Sequence, residues 1–314
     1  MAQGSQLGNN PYEVELATQQ YSTNLQLLLQ QNESKLRGYL KTGNHVGKGA
    51  SPVQYIGALE FKAPQGRFAP VAPQEPNYTR RWVFPQDRSL AVLVDSFDEL
   101  RTTIDPRAGI NAAVVAAANR VHDDIAIQAA FANATTGVDG TNYTTETFVT
   151  GNYQVAPTFG GGGSNTGMIY QKLVEAKRIF RHWENDMDMV RFCLVLGSQQ
   201  EADLLNQIEV TSREFNDQPV VTNGKVTRFM GFDIIYSERL QYTSSNLRNC
   251  IAFVDDGMYM GMWKDIETTI SQRNDLEGHP WQAYSMLTCG ATRLQPGKVV
   301  QIQCFDTTGS DITF

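Results

Sequence analysis

Residues 159–168 read FGGGGSNTGM, and Gly162-Gly163-Ser164-Asn165-Thr166-Gly167 fills the first six positions of the phosphate loop GxxxxGK[ST]. That loop needs a lysine to meet phosphate charge and a Ser/Thr hydroxyl to hold magnesium. The two deciding positions here are Met168 and Ile169. A GxGxxG reading fails too, because Asn165 or Thr166 stands where the last glycine belongs. His122-Asp123-Asp124 offers metal-ligating and acid–base side chains, but positions one and two apart on a helix do not share a face. The expected role is a polar face of a long helix, and His182 with Glu184 fails on the same ground. Asp255-Asp256-Gly257 reads as a turn between strands. Gly197-Ser198 reads as a strand end followed by an N-cap at Ser198, with Glu201 completing a capping box. Neither GxSxG nor HExxH occurs. The residues therefore give no catalytic, cofactor-binding or metal-ligating set, and no enzyme is expected. A nucleotide-dependent enzyme using Gly160–Gly167 is the alternative from another functional class. The competing reading of Gly160, Gly161, Gly162 and Gly163 is a flexible joint, with Asn165 or Thr166 capping the helix that follows.

The chain has 314 residues, room for one large domain or two moderate ones, with an ordinary globular balance of 41% hydrophobic and 19% charged residues. No apolar run is long enough to span a bilayer, and the N-terminal MAQGSQLGNNPYEVE lacks the basic and apolar regions of a secretory signal. Folding in the cytoplasm of the producing cell is expected. Cys193, Cys250, Cys289 and Cys304 form no CxxC pair, so buried free thiols are expected rather than zinc ligands. The formal net charge is −7 and no basic cluster is visible, which argues against a protein that grips nucleic acid directly. Enclosing DNA without gripping it stays compatible with that charge.

What positions these residues follows from periodicity. Residues 13–36 carry Val14, Ala17, Tyr21, Leu25 and Leu28 at three- and four-residue steps, an amphipathic helix expected to be an arm that packs on something else. In 52–94, two extended runs flank a segment with prolines at 64, 70, 73 and 76, the pattern of a long hairpin with a proline-rich tip. A projecting hairpin that carries Phe68, Tyr78 and Trp82 needs a partner surface. Arg80, Arg81 and Trp82 in RRWVFPQD are of the types that anchor interfaces, although a hairpin base with ordinary surface arginines reads the same way. Residues 106–133 form the strongest helix, alanine-rich and striped by Ile110, Val114, Ala117, Val121 and Ile125, about 40 Å long at 1.5 Å per residue. A further helix over 167–183, a buried strand over 190–198, a short helix and a strand-rich tail complete an α+β pattern.

RRWVFPQD, AVLVDSFDELRTTIDP (91–106), NAAVVAAANRVHDDIAIQAAF (111–131) and TGVDGT (136–141), in that order, resemble the major capsid proteins of tailed bacteriophages. The resemblance is densest over about 80–141, and the element order agrees over nearly the whole chain. It implies the Hong Kong ninety-seven type capsid fold: an N-terminal arm (1–51), an extended loop (52–94), a peripheral domain (95–164 and 249–314) built on the spine helix 106–133, and an axial domain (165–248). It also implies self-assembly through pentamers and hexamers into an icosahedral shell that encloses double-stranded DNA, in a virion assembled in the bacterial host cytoplasm. Arg67, Phe68, Tyr78, Arg80, Arg81 and Trp82 would then contact a neighbouring copy, and Trp82→Ala would impair assembly more than folding. Gly160–Gly163 would be the hinge of the axial domain. Only about fifty residues precede the hairpin, so a separate scaffolding protein is expected, with a portal protein and decoration proteins as further partners and no membrane. An encapsulin-like compartment shell is the alternative on the same fold.

Overall fold

The structure, a computed structural model, describes residues 30–63, 66, 73–94, 106–137, 142–186, 189–207, 221–222, 225–244 and 246–306. The arm helix expected over 13–36 lies outside the described residues up to position 29. Residues 30–36 are not helical; they form an irregular strap that ends in a single 3-10 turn, Arg37–Tyr39. The strap is followed by strand β1 (Lys41–Asn44), the hairpin strands β2 (Ala50–Ile56) and β3 (Tyr78–Val83), and strand β4 (Gln86–Val94). Helix α1 spans Pro106–Phe131, and Pro106 at its start has no N–H for the first turn to leave unsatisfied. Short strands β5 (Ala134–Thr136) and β6 (Thr144–Glu146), a helical turn α2 (Thr150–Tyr153) and strand β7 (Gln154–Val155) lead to helix α3 (Tyr170–His182). Then come β8 (Phe192–Leu196), α4 (Ser198–Leu205), the short strands β9 (Val221–Thr222), β10 (Lys225–Val226) and β11 (Arg228–Phe229), and β12 (Phe232–Tyr236). The tail is β13 (Tyr242–Ser244), β14 (Leu247–Val254), β15 (Met258–Gln272), β16 (Trp281–Arg293) and β17 (Val299–Phe305).

These strands build three main sheets. A central sheet has the order β11-β12-β8-β14-β17-β7, with β12 parallel to β8 and β14 antiparallel to both β8 and β17. Every residue of β8 is buried, as its unbroken apolar run FCLVL requires. Helix α3 lays Leu173, Ala176 and Phe180 on this sheet; Phe180 meets Phe192 edge-on at 4.9 Å, and Phe192 meets Phe232 at 5.9 Å. All four cysteines are buried free thiols, and burial pushes Cys193 up to about 12 and Cys289 to about 11, so both stay protonated and inert. The long sheet, β1-β15-β16-β4, carries α1 on one face. The hairpin sheet, β2-β3-β5-β6, stands on the C-terminal end of α1.

Three boundaries differ from the sequence expectation. Residues 86–94 leave the hairpin: Pro85 cannot donate to a ladder, and beyond it β4 pairs with β16 in the long sheet. The tail does not stay together either, since β14 and β17 join β8 and β12 of residues 165–248 while β15 and β16 form the long sheet. The turn Asp255-Asp256-Gly257 joins β14 to β15 and so passes the chain from one sheet to the other. Lys298 Nζ donates to Asp256 Oδ2 at 2.5 Å, clipping this crossing to the return crossing before β17. Finally, α4 starts one residue early. Gly197 is its N-cap and Gln200 Oε1 accepts from Gly197 N at 3.2 Å, while Ser198 N donates to Glu238.

Candidate functional site

The hairpin divides into an exposed outer part and a buried root. Outward, Tyr78 is 53% exposed, Ile56 63% and Phe61 wholly exposed, an apolar surface that none of the described residues covers. Arg67 and Phe68 lie outside the described residues; Arg80 is half-buried. At the root, Arg81 is only 4% exposed. Its Nε donates to Leu294 O at 2.8 Å and its Nη1 lies 2.6 Å from Glu146 Oε2. Trp82 donates its indole N–H to Gly137 O at 3.1 Å and meets Tyr143 edge-on, as Phe84 does from the other side. Arg81 and Trp82 thus have partners in their own chain, so the loss of Trp82 would bear on the subunit itself. Arg293, fully buried beneath them, donates Nη1 to Ala130 O and Ala132 O, closing the last turn of α1. Burial and the nearby Arg81 lower its pKa to about 10. Arg293 has no signal of its own in the sequence, where ATRL reads as an ordinary strand end.

A second constellation ties the strap to the spine. His122 and Asp123 are buried, so they are not the polar face expected of His122-Asp123-Asp124. Helix α1 is surrounded in its second half by the strap, the sheets and the segment at Arg239, which is why polar side chains there are enclosed. Asp123 Oδ2 accepts from Gln31 Nε2 at 2.5 Å and Lys35 N at 2.9 Å; its Oδ1 accepts from Ser34 Oγ at 2.6 Å and Leu36 N at 3.1 Å. The two backbone donations, from Lys35 N and Leu36 N, stand where a helix over 30–36 would make i−4 bonds. Arg120 Nη1 adds bonds to Gln30 Oε1 and Gln31 O, and Asn119 Nδ2 one to Asn32 O. Asp124 instead takes a bidentate pair from Arg239 at 2.5 Å. Three polar residues inside an alanine-rich helix were the only signal of this clasp.

The glycine loop is a closed turn. Gly160, Gly162 and Gly163 have φ of 77°, 63° and 108°, the left-handed region glycine enters without a Cβ penalty. Thr166 N and Oγ1 both donate to Pro157 O, and Oγ1 also reaches Phe159 O, so Thr166 clips the loop rather than capping α3. Helix α3 is capped from outside: Tyr170 N donates to Gln207 Oε1 at 2.7 Å. The buried Lys172 Nζ donates to Thr166 O and Gln303 O, both at 2.8 Å, fastening the loop to β17. Phosphate has no place here. The N–H groups of Phe159, Gly161, Ser164 and Thr166 are given to the loop's own carbonyls, and Met168 N donates to Asp203 Oδ2, a carboxylate where the anion would sit. A Cβ on Gly160 would stand 2.5 Å from Ile169 Cδ1, whereas one on Gly162 meets nothing within 4 Å. Ile169 Cδ1 is the end of a flexible side chain that can turn aside, so the left-handed backbone sets most of the cost: we expect about 1–2 kcal/mol for Gly160→Ala and about 1 kcal/mol for Gly162→Ala in equilibrium unfolding. No cost at either position would contradict a turn that needs positive φ there.

Among the described residues no His/Cys/Asp/Glu group is arranged to hold a metal ion, and no helix is long and apolar enough to cross a membrane. No curated protein matches the chain. Solved structures do. A chain of the cyanophage Pam1 capsid asymmetric unit matches with a TM-score of 0.70 over 100% of both chains at 12% identity. The capsid of cyanophage P-SCSP1u gives 0.70 over 93% of this chain and 94% of that one, and the mature capsid of bacteriophage PhiM1 gives 0.67 over 91% of each, both at 12% identity. At that identity the likeness shows the fold, the Hong Kong ninety-seven type. A family model described as phage capsid protein matches residues 15–306, almost the whole sequence, and the chain belongs to that family.

Proposed function

We propose that this major capsid protein assembles through pentamers and hexamers, in the cytoplasm of a bacterial host, into an icosahedral shell that encloses double-stranded DNA. The family match over 15–306 carries the reading. The uncovered apolar surface of Ile56, Phe61 and Tyr78 supports it, because a hairpin of this kind is half of a heterologous contact, in which one patch meets a different patch on the next copy. Arg67, Phe68, Tyr78 and Arg80 make that contact, and Arg81 and Trp82 hold the hairpin at its working angle from within. The peripheral part, around the long sheet and α1, and the axial part, around α3, β8 and β12, meet near 160–167, and the positive-φ glycines there take up the small changes between five-fold and six-fold positions. A scaffolding protein, a portal protein and decoration proteins complete the set of partners. The acidic net charge of −7 suits a container that must release its DNA.

Electron microscopy of the purified full chain, alone and with a co-expressed scaffold, tests the reading: rings, tubes or shells are expected, and a monomer under every assembly condition overturns it. Subunits compared within one shell test the joint, which fails if backbone angles at 160–167 are the same in all of them. Tyr78→Ala tests the contact. We expect the concentration needed for assembly to rise about tenfold, the effect of roughly 1.4 kcal/mol per contact, while unfolding of the isolated subunit stays within about 0.5 kcal/mol. Unchanged assembly would remove Tyr78 from the interface.

A further inference from the structure

We infer that residues 30–37 form an acid-releasable strap, locked by Asp123 on α1 and gated by the neighbouring imidazole of His122. His122 is 1% exposed, and neither Nδ1 nor Nε2 has a hydrogen-bond partner among the described residues. Such a group is uncommon, because a buried polar atom left unpaired costs free energy that a single bond would recover. The charged groups that face it come from three elements: Arg37 at the end of the strap, Asp265 of β15, and Asp123 on its own helix. Arg37 and Asp265 are themselves paired at 3.0 Å, so an ion pair joins the strap to the long sheet beside the imidazole. Four of the strap's other ties converge one residue away, on the carboxylate of Asp123, and Arg120 and Asn119 hold its first residues.

The direction of the pH effect follows from burial. Burial first, and Arg37 second, lower the His122 pKa below its ordinary value of 6.5, against the weaker pull of Asp265 and Asp123. In the inferred open form the ring meets water and titrates near 6.5. The open form therefore binds the proton more tightly than the closed one. Closure is at full strength above about pH 6.5 and is lost progressively as pH falls toward the lowered value. Release exposes Leu36 and Leu40, which are buried in the core beneath the strap, and frees the chain just ahead of β1.

Amide hydrogen exchange on the purified full chain, unassembled, tests this between pH 8 and pH 5.5. After correction for the intrinsic pH dependence of exchange, protection at residues 35–40 should be flat above about 6.5 and fall by up to about tenfold at pH 5.5. Protection at 125–130 of α1 should not change. In His122→Gln, and in His122→Phe, the acid-dependent loss at 35–40 should disappear. Protection at 35–40 that is independent of pH in the wild type overturns the switch on its own, whether or not either variant folds. An equal acid loss in a folded variant overturns the assignment to His122.

Discussion

Asp123→Ala should detach the strap and lower the thermal midpoint of the isolated subunit by about 5 °C, from a loss of about 3 kcal/mol. Four donors end on this one carboxylate, two of them backbone N–H groups, and Leu36 N is fully enclosed. Removing a buried acceptor costs more than the bonds contribute net, because each stranded donor has lost its water as well, at about 1–3 kcal/mol apiece. The sum is capped, however. Once the stranded donors cost more than the strap's docking is worth, the strap leaves and its donors find water. The signature is therefore a limited fall in midpoint together with new protease cleavage within 30–40. Asp124→Ala is the control. Its partner Arg239 is bonded at the same distance, but both side chains are about 30% exposed, so about 1 kcal/mol or less is expected and no new cleavage. Equal effects from the two neighbouring aspartates would show that the clasp at Asp123 is not what holds the strap.

Local order was legible in the sequence because its causes are local. The alanine-rich run from Pro106, the unbroken FCLVL of β8 and the two extended runs around a proline-rich segment each declare their state within a few residues. What was missed depends on partners distant in sequence. Nothing in residues 120–124 shows that a strap about ninety positions earlier will surround that part of the helix, so His122 and Asp123 read as surface. Residues 249–254 and 299–305 look like the other tail strands, and only the pairing of β14 with β8 assigns them to the central sheet. The register shifts between Met262 and Glu267 interrupt the alternation of MYMGMW and IETTISQ, although β15 runs through both. The hairpin's exposed apolar surface was legible from composition, whereas the inward turn of Arg81 was not. In a strand, side chains alternate between faces, and RRW does not say which face is the inside until Glu146 and Leu294 arrive.

Arg81→Ala should cost the subunit about 3 kcal/mol, more than any substitution on the exposed part of the hairpin. Breaking a buried ion pair commonly costs about 3–5 kcal/mol, and the lower end applies here because Glu146 is 36% exposed and can turn its charge to water. The loss also frees Leu294 O, which lies at the end of β16, so the hairpin sheet loses its bolt to the long sheet. Glu146→Gln probes the same root from the other side. It leaves two buried guanidinium groups, Arg81 and Arg293, without the carboxylate beside them, and Nε and Nη2 of Arg293 already have no hydrogen-bond partner among the described residues. Arg81→Lys should rescue little, since one ammonium cannot span Leu294 O and Glu146 as the planar guanidinium does. These variants separate two meanings of an assembly defect. Tyr78→Ala should leave the melting of the isolated subunit intact and raise the concentration needed for shells, whereas Arg81→Ala should melt the subunit early and fail in assembly for that reason. A normal midpoint with abolished assembly in Arg81→Ala would show instead that Arg81 turns outward to a neighbouring copy once the shell forms.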